Sequence, residues 1–157
     1  MLNDVESGKL LLFIYHAPSK NTQYLCQAVV DSIKEASIRI KVLSVECVQP
    51  QDVLEADAVL LGTLENLSYL SGMTKDFFDR CYYPLLEKKQ GLAFAAYVRA
   101  GHDGTGSVRA LETITTGLRW RWVQPALVLK GSWQDSFVTE AKELALSVAV
   151  GLECGMY

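Results

Sequence analysis

The feature that most constrains the fold is a unit, repeated along the chain, in which an apolar segment is followed by a polar loop and an amphipathic segment. Three of the apolar segments, residues 10–15, 58–62 and 92–98, are short and continuous. Continuous apolar runs of this length are typical of strands that are buried on both faces of a parallel sheet. They predict the centre of an α/β fold.

Two further strands carry the marks of a sheet edge. Residues 38–43 alternate apolar and polar side chains, and residues 120–129 are interrupted by Pro125, which a central strand does not tolerate. Five β-then-α units without a linker predict one domain, residues 1–157, with a three-layer α/β fold and a doubly wound, five-stranded parallel sheet. The order 2-1-3-4-5 fits best, because it puts the apolar strands one, three and four in the middle.

Apolar residues at helical spacing predict the helices between the strands. The first helix is expected to be capped by Asn21 or Thr22, and the third by Ser71. A short helix with a proline at its start is predicted at residues 50–55. The buried stripe of the third helix is predicted to comprise Met73, Phe77, Phe78, Cys81 and Leu85.

Length and cysteine usage favour a globular protein of a reducing compartment. With 157 residues, of which 50% are hydrophobic, the chain can bury a sizeable core. The cysteines form no C-x-x-C pair and the two histidines lie at no ligand spacing from them, so neither a metal site nor a redox dithiol is expected. Free thiols suit the cytoplasm. The cysteines are Cys26, Cys47, Cys81 and Cys154.

Charge and hydropathy argue against two classes of partner. The net charge of −3 argues against nucleic acid, because a phosphate backbone requires a basic protein face. No apolar run approaches the length of a membrane span, and residues 1–6 lack a basic region followed by an apolar core. We therefore expect a soluble, cytoplasmic protein with no membrane partner.

The loop after the first strand, residues 16–22, has the composition of an anion site. A strand, a polar loop and a helix in succession present backbone N–H groups to an anion. Pro18 and Asn21 shape the turn, and short hydroxyl and amide side chains face outward from the first helical turn. The expected ligand is a phosphate group.

Two more loops are expected at the same edge of the sheet, because the carboxyl ends of parallel strands lie together. Residues 63–70 form a polar and aromatic loop after the third strand. Residues 99–106 follow the fourth strand, and three glycines within six residues of this loop allow a ligand to approach the backbone closely. These loops predict a binding site at the point where the strand order reverses.

With these loops in view, the sequence resembles the flavodoxin-like flavoprotein superfamily, in particular its small NAD(P)H-dependent FMN reductases and quinone reductases. The resemblance covers most of the chain. Its most specific part is the pattern G-T-x7-S-G-x2-K-x-F-x-D-R at residues 62–80, and the loops at residues 16–22 and 100–106 complete it.

The resemblance implies non-covalently bound FMN. Its phosphate would be held by Ser19, Asn21 and Thr22, with Lys20 either assisting or pointing into solvent. Its ring would lie between the other two loops, which supply backbone amides at residues 65–67 and an aromatic wall. The implied cofactor-binding residues are His16, Pro18, Ser19, Lys20, Asn21, Thr22, Thr63, Leu64, Glu65, Asn66, Leu67, Tyr69, Gly72, Ala100, Gly101, His102, Asp103 and Gly104, and no metal is implied.

Several of these residues have a second interpretation. His102 is either an exposed loop histidine or a contact for flavin or substrate, which makes it the candidate catalytic side chain. His16 either turns its loop or contacts phosphate, and Tyr69 either forms the ring wall or packs its loop. Arg99 is either a solvated charge at a strand end or a contact for a nicotinamide nucleotide phosphate.

The subunit arrangement is left open by the residues themselves. Trp120 and Trp122 share one face of the last strand, where they would pack either on a helix or on a second subunit. The resemblance implies a homodimer or homotetramer, because members of the family commonly build their active sites from two chains.

Departures from the family pattern favour a reductase over an electron carrier. The phosphate loop lacks the glycine of the S/T-x-T-G-x-T pattern of electron-carrying flavodoxins, and equally the G-S-x-R arrangement of many reductases. The fourth-strand loop lacks a tyrosine to stack on the ring. The leading hypothesis is an enzyme that takes hydride from NAD(P)H onto FMN and passes electrons to a quinone or similar acceptor. The alternatives are a flavodoxin-type carrier without NAD(P)H activity and a flavodoxin-like domain that has lost its flavin.

Two other classes of protein fit the sequence poorly. A phospho-acceptor receiver needs acidic residues at the ends of strands one and three, where Tyr15, His16, Gly62 and Thr63 stand instead. A serine hydrolase of the α/β type needs a G-x-S-x-G turn after a strand, and the sequence contains none.

Overall fold

The chain folds into alternating strands and helices, which a computed structural model describes over residues 8–157. The strands are β1 (Leu10–Tyr15), β2 (Arg39–Ser44), β3 (Ala58–Asn66), β4 (Tyr69–Leu70), β5 (Ala93–Ala100), β6 (Arg121–Trp122) and β7 (Leu127–Lys130). The helices are α1 (Lys20–Ile33), α2 (Pro50–Leu54), α3 (Gly72–Leu85), α4 (Thr105–Leu118) and α5 (Ser136–Glu153). Residues 1–7, and with them the segment inspected for a leader, lie outside the described residues. No helix within residues 8–157 combines the length and the apolar character needed to cross a membrane.

The parallel sheet has the strand order that the hydropathy pattern predicts. Its hydrogen-bonded path is β2-β1-β3-β5-β6, and β7 also pairs with β5. β6 and β7 are two halves of one edge strand, because Phe94 of β5 pairs with Trp122 whereas Val98, further along β5, pairs with Val128. Pro125 lies between the halves, where the ladder is already interrupted. The predicted order 2-1-3-4-5 is therefore confirmed when the two halves are counted as one strand.

Helices cover both faces of the sheet, which gives the three predicted layers. Along β1, Leu11 and Phe13 face the layer that contains α1 and α5, whereas Leu12 and Ile14 face the layer of α2, α3 and α4. All four side chains are 0% exposed. Because successive residues of a strand point to opposite faces, a strand buried on both faces must be apolar at every position. Each large apolar side chain that is fully buried contributes about 1.5–3 kcal/mol to folding.

The third strand is longer than the sequence predicts. We expected it to end at Gly62 and to be followed by a loop, but β3 continues to Asn66 and forms an antiparallel hairpin with β4. The turn consists of Leu67 and Ser68, whose φ angles are 52° and 62°. A two-residue hairpin turn of type I′ needs positive φ at both positions, which glycine and asparagine usually supply. Leucine and serine carry no such signal, and the hairpin is therefore absent from the sequence-based description.

The buried stripe of α3 begins one residue later than predicted. Met73 is 39% exposed, whereas Thr74 is fully buried and bonds through its hydroxyl group to that of Thr63 on β3, at 2.7 Å. Ser71 caps the helix as expected and donates its own hydroxyl to Thr74 Oγ1 at 2.8 Å. A polar side chain can take the first position of a buried stripe here, because its hydrogen bonds are satisfied inside the protein.

The two tryptophans near the last strand pack against helices of the same chain. The Trp120 side chain is 6% exposed, and its ring lies 5.6 Å from that of Phe94 and 6.4 Å from that of Phe78 on α3. Trp122 Nε1 donates to Thr115 Oγ1 of α4 at 2.9 Å. The helix-packing interpretation is confirmed, so these rings give no support to a contact with a second subunit.

Candidate functional site

A cleft of about 280 Å³ opens at the carboxyl ends of the central strands. It lies between the β1–α1 loop, the end of β3 and the end of β5, which are three segments that the sequence singled out. The cleft is lined by Pro18, Ser19, Asn21, Thr22, Leu64, Glu65, Arg99 and Gly101. All of these except Arg99 belong to the cofactor-binding residues that the resemblance implies, and the structure thus brings a large part of that set together.

One end of the cleft is the beginning of α1, which is capped by Ser19 and not by Asn21 or Thr22 as predicted. Ser19 Oγ accepts from the Thr22 N–H at 3.2 Å, and Thr22 Oγ1 accepts from the Ser19 N–H at 2.9 Å. This reciprocal capping box turns both hydroxyl groups toward each other, 2.8 Å apart, and leaves Thr22 only 8% exposed. The expectation of an outward-facing hydroxyl is therefore wrong for the buried Thr22, whereas Ser19 is exposed at the cleft.

The groups that remain free at this end are backbone amides and the exposed side chains of Lys20 and Asn21. Within residues 8–157, the N–H groups of Lys20 and Asn21 donate to no protein acceptor. Unpaired amides of a first helical turn, together with the helix dipole, attract an anion. The end of the cleft at α1 can therefore bind a phosphate group.

His16 extends the β1–β3 pairing just before this loop. Its N–H donates to the Gly62 carbonyl oxygen at 2.9 Å, and its side chain is half-buried. Burial lowers the pKa of the imidazole, against a smaller opposing effect of the Glu46 carboxylate. The bond from His16 to Gly62 ties this residue to β3, which fits the interpretation in which His16 turns its loop.

At the other end of the cleft, the side chain of Glu65 binds the β5–α4 loop. Its Oε1 atom accepts from the His102 N–H at 2.9 Å, and its Oε2 atom accepts from the Gly104 N–H at 2.8 Å. The sequence predicted a backbone role for Glu65 and did not reveal this contact between side chain and loop. Because hydrogen bonds to an ionised carboxylate are about twice as strong as neutral ones, Glu65 holds the two loops together.

Arg99 connects the end of β5 to the end of β7. Its guanidinium group donates to the carbonyl oxygens of Ala100 at 2.8 Å, Leu129 at 2.9 Å and Gly131 at 2.7 Å. It also lies 4.9 Å from the centre of the Phe137 ring, and partial burial lowers its pKa. Arg99 is therefore engaged with the main chain and differs from the solvated charge that was one of its two interpretations.

Two opposite charges thus line one cleft without forming an ion pair with each other. Among residues 8–157, the ion pairs involve other side chains, and Glu65 and Arg99 each bond to backbone groups instead. Glu65 accepts from two N–H groups of the β5–α4 loop, whereas Arg99 donates to one carbonyl oxygen at the end of β5 and to two at the end of β7. The signal that could have revealed this is a charged residue at the end of each otherwise buried strand.

In the β5–α4 loop, Gly101, His102 and Asp103 are exposed and Gly104 is buried. His102 and Asp103 project from the loop, and the Thr105 N–H donates to Asp103 Oδ1 at 3.0 Å, which lowers the pKa of Asp103. Gly104 has a φ of 71°, a left-handed conformation that favours glycine. A Cβ atom on Gly101 would meet no atom within 4 Å, so this part of the loop is open on the side of the cleft.

The hairpin residues are divided between the cleft and other surfaces. Leu64 and Glu65 line the cleft, whereas Asn66 and Leu67 lie at the exposed tip. Tyr69 is 46% exposed and lines a separate groove of about 330 Å³ between α3 and α4, so it does not form a wall of the cleft. The other members of the predicted set that do not line it are His16, Lys20, Thr63, Gly72, Ala100, His102, Asp103 and Gly104. No group of three or more metal-ligating side chains occurs within residues 8–157.

Comparison with known proteins identifies the architecture. No model of a known protein family matches the chain, and no curated protein sequence matches it. A flavodoxin from the domain Archaea has a TM-score of 0.77 at 20% identity, over 91% of this chain and 98% of that chain. The chain has a flavodoxin-like fold.

Two further structures support this assignment. The flavodoxin, WrbA-like protein from Agrobacterium tumefaciens has a TM-score of 0.73 at 15% identity, over 92% of this chain and 96% of that chain. The rubredoxin oxygen:oxidoreductase of Desulfovibrio gigas has a TM-score of 0.76 at 14% identity, over 94% of this chain and 37% of that chain. In a flavodoxin-like fold the strand order reverses between β1 and β3, which is where ligands bind and where the cleft lies.

Proposed function

We propose that the chain binds FMN in this cleft and is an NAD(P)H-dependent oxidoreductase that passes electrons to a quinone or a similar small acceptor. The observation that carries the proposal is the convergence of three loops on one cleft at the switch point of a flavodoxin-like fold. Two separate features of the cleft fit the two ends of FMN.

The end at α1 fits the phosphate. The capping box between Ser19 and Thr22 fixes the first helical turn, so the free N–H groups of Lys20 and Asn21 are already oriented for an anion. The exposed Asn21 side chain adds a further donor. An amide or hydroxyl that hydrogen-bonds to a charged group contributes about 1.5–3 kcal/mol, so a few such contacts can hold a phosphate without a basic cluster.

The end at the β5–α4 loop fits a flat ring. Gly101 leaves open space beside the loop, and Leu64 supplies an apolar surface on β3. Arg99 holds the end of β5 in a fixed position through its bonds to main-chain carbonyl groups, which reduces the entropy lost on binding. His102 lies in the exposed part of the loop, where it is available to a substrate.

In this proposal the cofactor and the protein have different roles in the chemistry. FMN, when bound, supplies hydride acceptance and electron transfer. The chain would supply binding, orientation and a rigid edge, with no catalytic acid or base of its own except His102. We further propose a cytoplasmic location, a single domain over the whole chain and a homodimer or homotetramer. The free state of Cys26, Cys47, Cys81 and Cys154 supports the first of these proposals.

The test begins with a spectroscopic titration of the purified protein with FMN. Binding should shift the flavin absorbance and quench its fluorescence, and anaerobic addition of NADH or NADPH should then bleach the flavin rapidly. A quinone should restore the oxidised spectrum. Failure to bind FMN would contradict the proposal as a whole.

The same titration separates the alternatives. Binding of FMN with no bleaching by either nucleotide would indicate a flavodoxin-type carrier. No binding at all would leave a flavodoxin-like domain without flavin. Sedimentation of the protein with and without FMN would test the proposed homo-oligomer.

A further inference from the structure

Glu65, which lines the cleft, occupies two backbone hydrogen-bond donors of the neighbouring β5–α4 loop. Its carboxylate is half-buried at the end of β3, and each of its oxygen atoms accepts one backbone N–H, from His102 and from Gly104. Gly104 is also the N-cap residue of α4, so the carboxylate lies at the positive end of that helix. Charge, geometry and helix dipole all favour this contact.

A flat heterocyclic ring presents neutral carbonyl oxygens and ring nitrogen atoms to its binding site. Such a ring needs a few convergent backbone donors for its orientation, and the β5–α4 loop is the segment next to the open space beside Gly101. A neutral carbonyl is a weaker acceptor than a carboxylate. The ring can therefore use the amides of His102 and Gly104 only if Glu65 releases them.

We propose that Glu65 is an internal ligand of the β5–α4 loop, which competes with the ring of a bound flavin for the amides of residues 102 and 104. This inference rests on the proposed binding of FMN. It assigns opposite effects to the two ends of the cleft: the free amides at α1 strengthen binding through the phosphate, whereas the Glu65 carboxylate weakens binding through the ring.

Glu65→Gln tests the inference, because the variant keeps the shape of the side chain and one oxygen acceptor but loses the charge. The measurements are the dissociation constants of FMN and of riboflavin, which carries the same ring without the phosphate. A neutral acceptor binds the loop amides more weakly than a carboxylate does, by on the order of a factor of ten in the equilibrium constant. Both ligands should therefore bind to the variant about tenfold more tightly. The factor should be the same for both.

Asp57→Asn is the matched control. Asp57 Oδ2 accepts from the Leu10 N–H at 2.8 Å, which is the same kind of bond at the opposite edge of the sheet, where β1 and β3 begin. This variant should reduce stability and leave both dissociation constants unchanged. A general effect of removing a carboxylate would appear in both variants.

The possible results separate the inference from the proposed function. If the original protein binds FMN and Glu65→Gln binds it equally or more weakly, the inference is wrong and Glu65 organises the site. If only FMN binding becomes tighter, Glu65 acts by charge repulsion on the phosphate, which also contradicts the inference. If neither protein binds either flavin, the proposed function fails as well.

Hydrogen exchange gives a second readout that needs no enzymatic activity. In the ligand-free protein, the amides of His102 and Gly104 should be protected by Glu65, and Glu65→Ala should abolish that protection without changing the exchange of the Leu10 amide. Addition of FMN to Glu65→Ala should restore protection at residues 102 and 104. Amides that remain unprotected in the FMN complex of Glu65→Ala would overturn the inference.

Discussion

Gly106 lies so close beneath Ser68 that a Cβ atom on Gly106 would overlap the Ser68 carbonyl oxygen. This contact joins the first turn of α4 to the turn of the β3–β4 hairpin. A second bond supports it, because Ser107 Oγ donates to the Tyr69 carbonyl oxygen at 2.9 Å. The hairpin, and with it Glu65 at its base, is therefore positioned by α4 as well as by the sheet.

Gly106→Ala should destabilise the protein, because the atom that the new Cβ meets belongs to the backbone and cannot rotate away. Overpacking of this kind costs about 1–3 kcal/mol in the free energy of unfolding, which denaturant titration measures. Gly72→Ala is the control, since a Cβ atom on this helical glycine would meet no atom within 4 Å. Equal stability of the two variants would mean that the hairpin does not rest on α4.

The two residues at the beginning of α1 should respond differently to alanine. Asn21→Ala should weaken FMN binding by about 1.5–3 kcal/mol, the range for a hydrogen bond to a charged group, and should leave riboflavin binding and stability unchanged. Thr22→Ala removes the hydroxyl of the capping box and should lower the free energy of unfolding by about 1 kcal/mol. Unchanged FMN affinity in Asn21→Ala would remove this residue from the proposed phosphate site.

Gly101→Val should separate binding from folding. The backbone of Gly101 is not in the left-handed region and its Cβ position is open, so the variant should stay within about 0.5 kcal/mol of the original stability. Because Gly101 lines the cleft, a valine side chain at this position should obstruct it and abolish flavin binding. A variant that is stable and still binds FMN normally would show that the ring lies elsewhere.

The hydropathy pattern was sufficient for the order of the parallel strands, although not for the β3–β4 hairpin. A strand that is buried on both faces, such as β1, must be apolar at every position, and this marks the central strands in the sequence. Pro125 marks the interrupted strand as an edge strand. The two signals together give the strand order. The beginning of α1 was predicted only within three residues. Ser19 and Thr22 are both good capping residues, and only the structure distinguishes which one lies outside the helix.

The sequence predicted which loops form the candidate site, but not which contacts their side chains make. The sequence located the three loops because carboxyl ends of parallel strands converge, but it could not tell that the Glu65 side chain turns to the loop amides. For Tyr69 it left two roles open, ring wall or loop packing, and the structure places this residue at the groove between α3 and α4. Contacts between residues distant in sequence, such as Glu65 and Gly104, leave no periodic pattern to detect.

Buried thiol groups should make the protein less stable at alkaline pH. Burial raises the pKa of Cys26 from its ordinary value of 9.0 to about 11. Between these values the unfolded chain releases the proton while the folded protein keeps it, so the free energy of unfolding falls as the pH rises. Burial also raises the pKa values of Cys81 and Tyr97, which act in the same direction.

Denaturant titrations at a series of pH values above about 8, where a thiol with the ordinary pKa of 9.0 begins to ionise, would measure this fall. Cys26→Ala should make the slope of unfolding free energy against pH shallower, even if the lost packing lowers stability at every pH. Cys154→Ala is the control, because Cys154 is exposed and its removal exposes no buried group. An unchanged slope in Cys26→Ala would mean that the Cys26 thiol ionises equally well in the folded protein, and that the α1 face on which it lies is open to water.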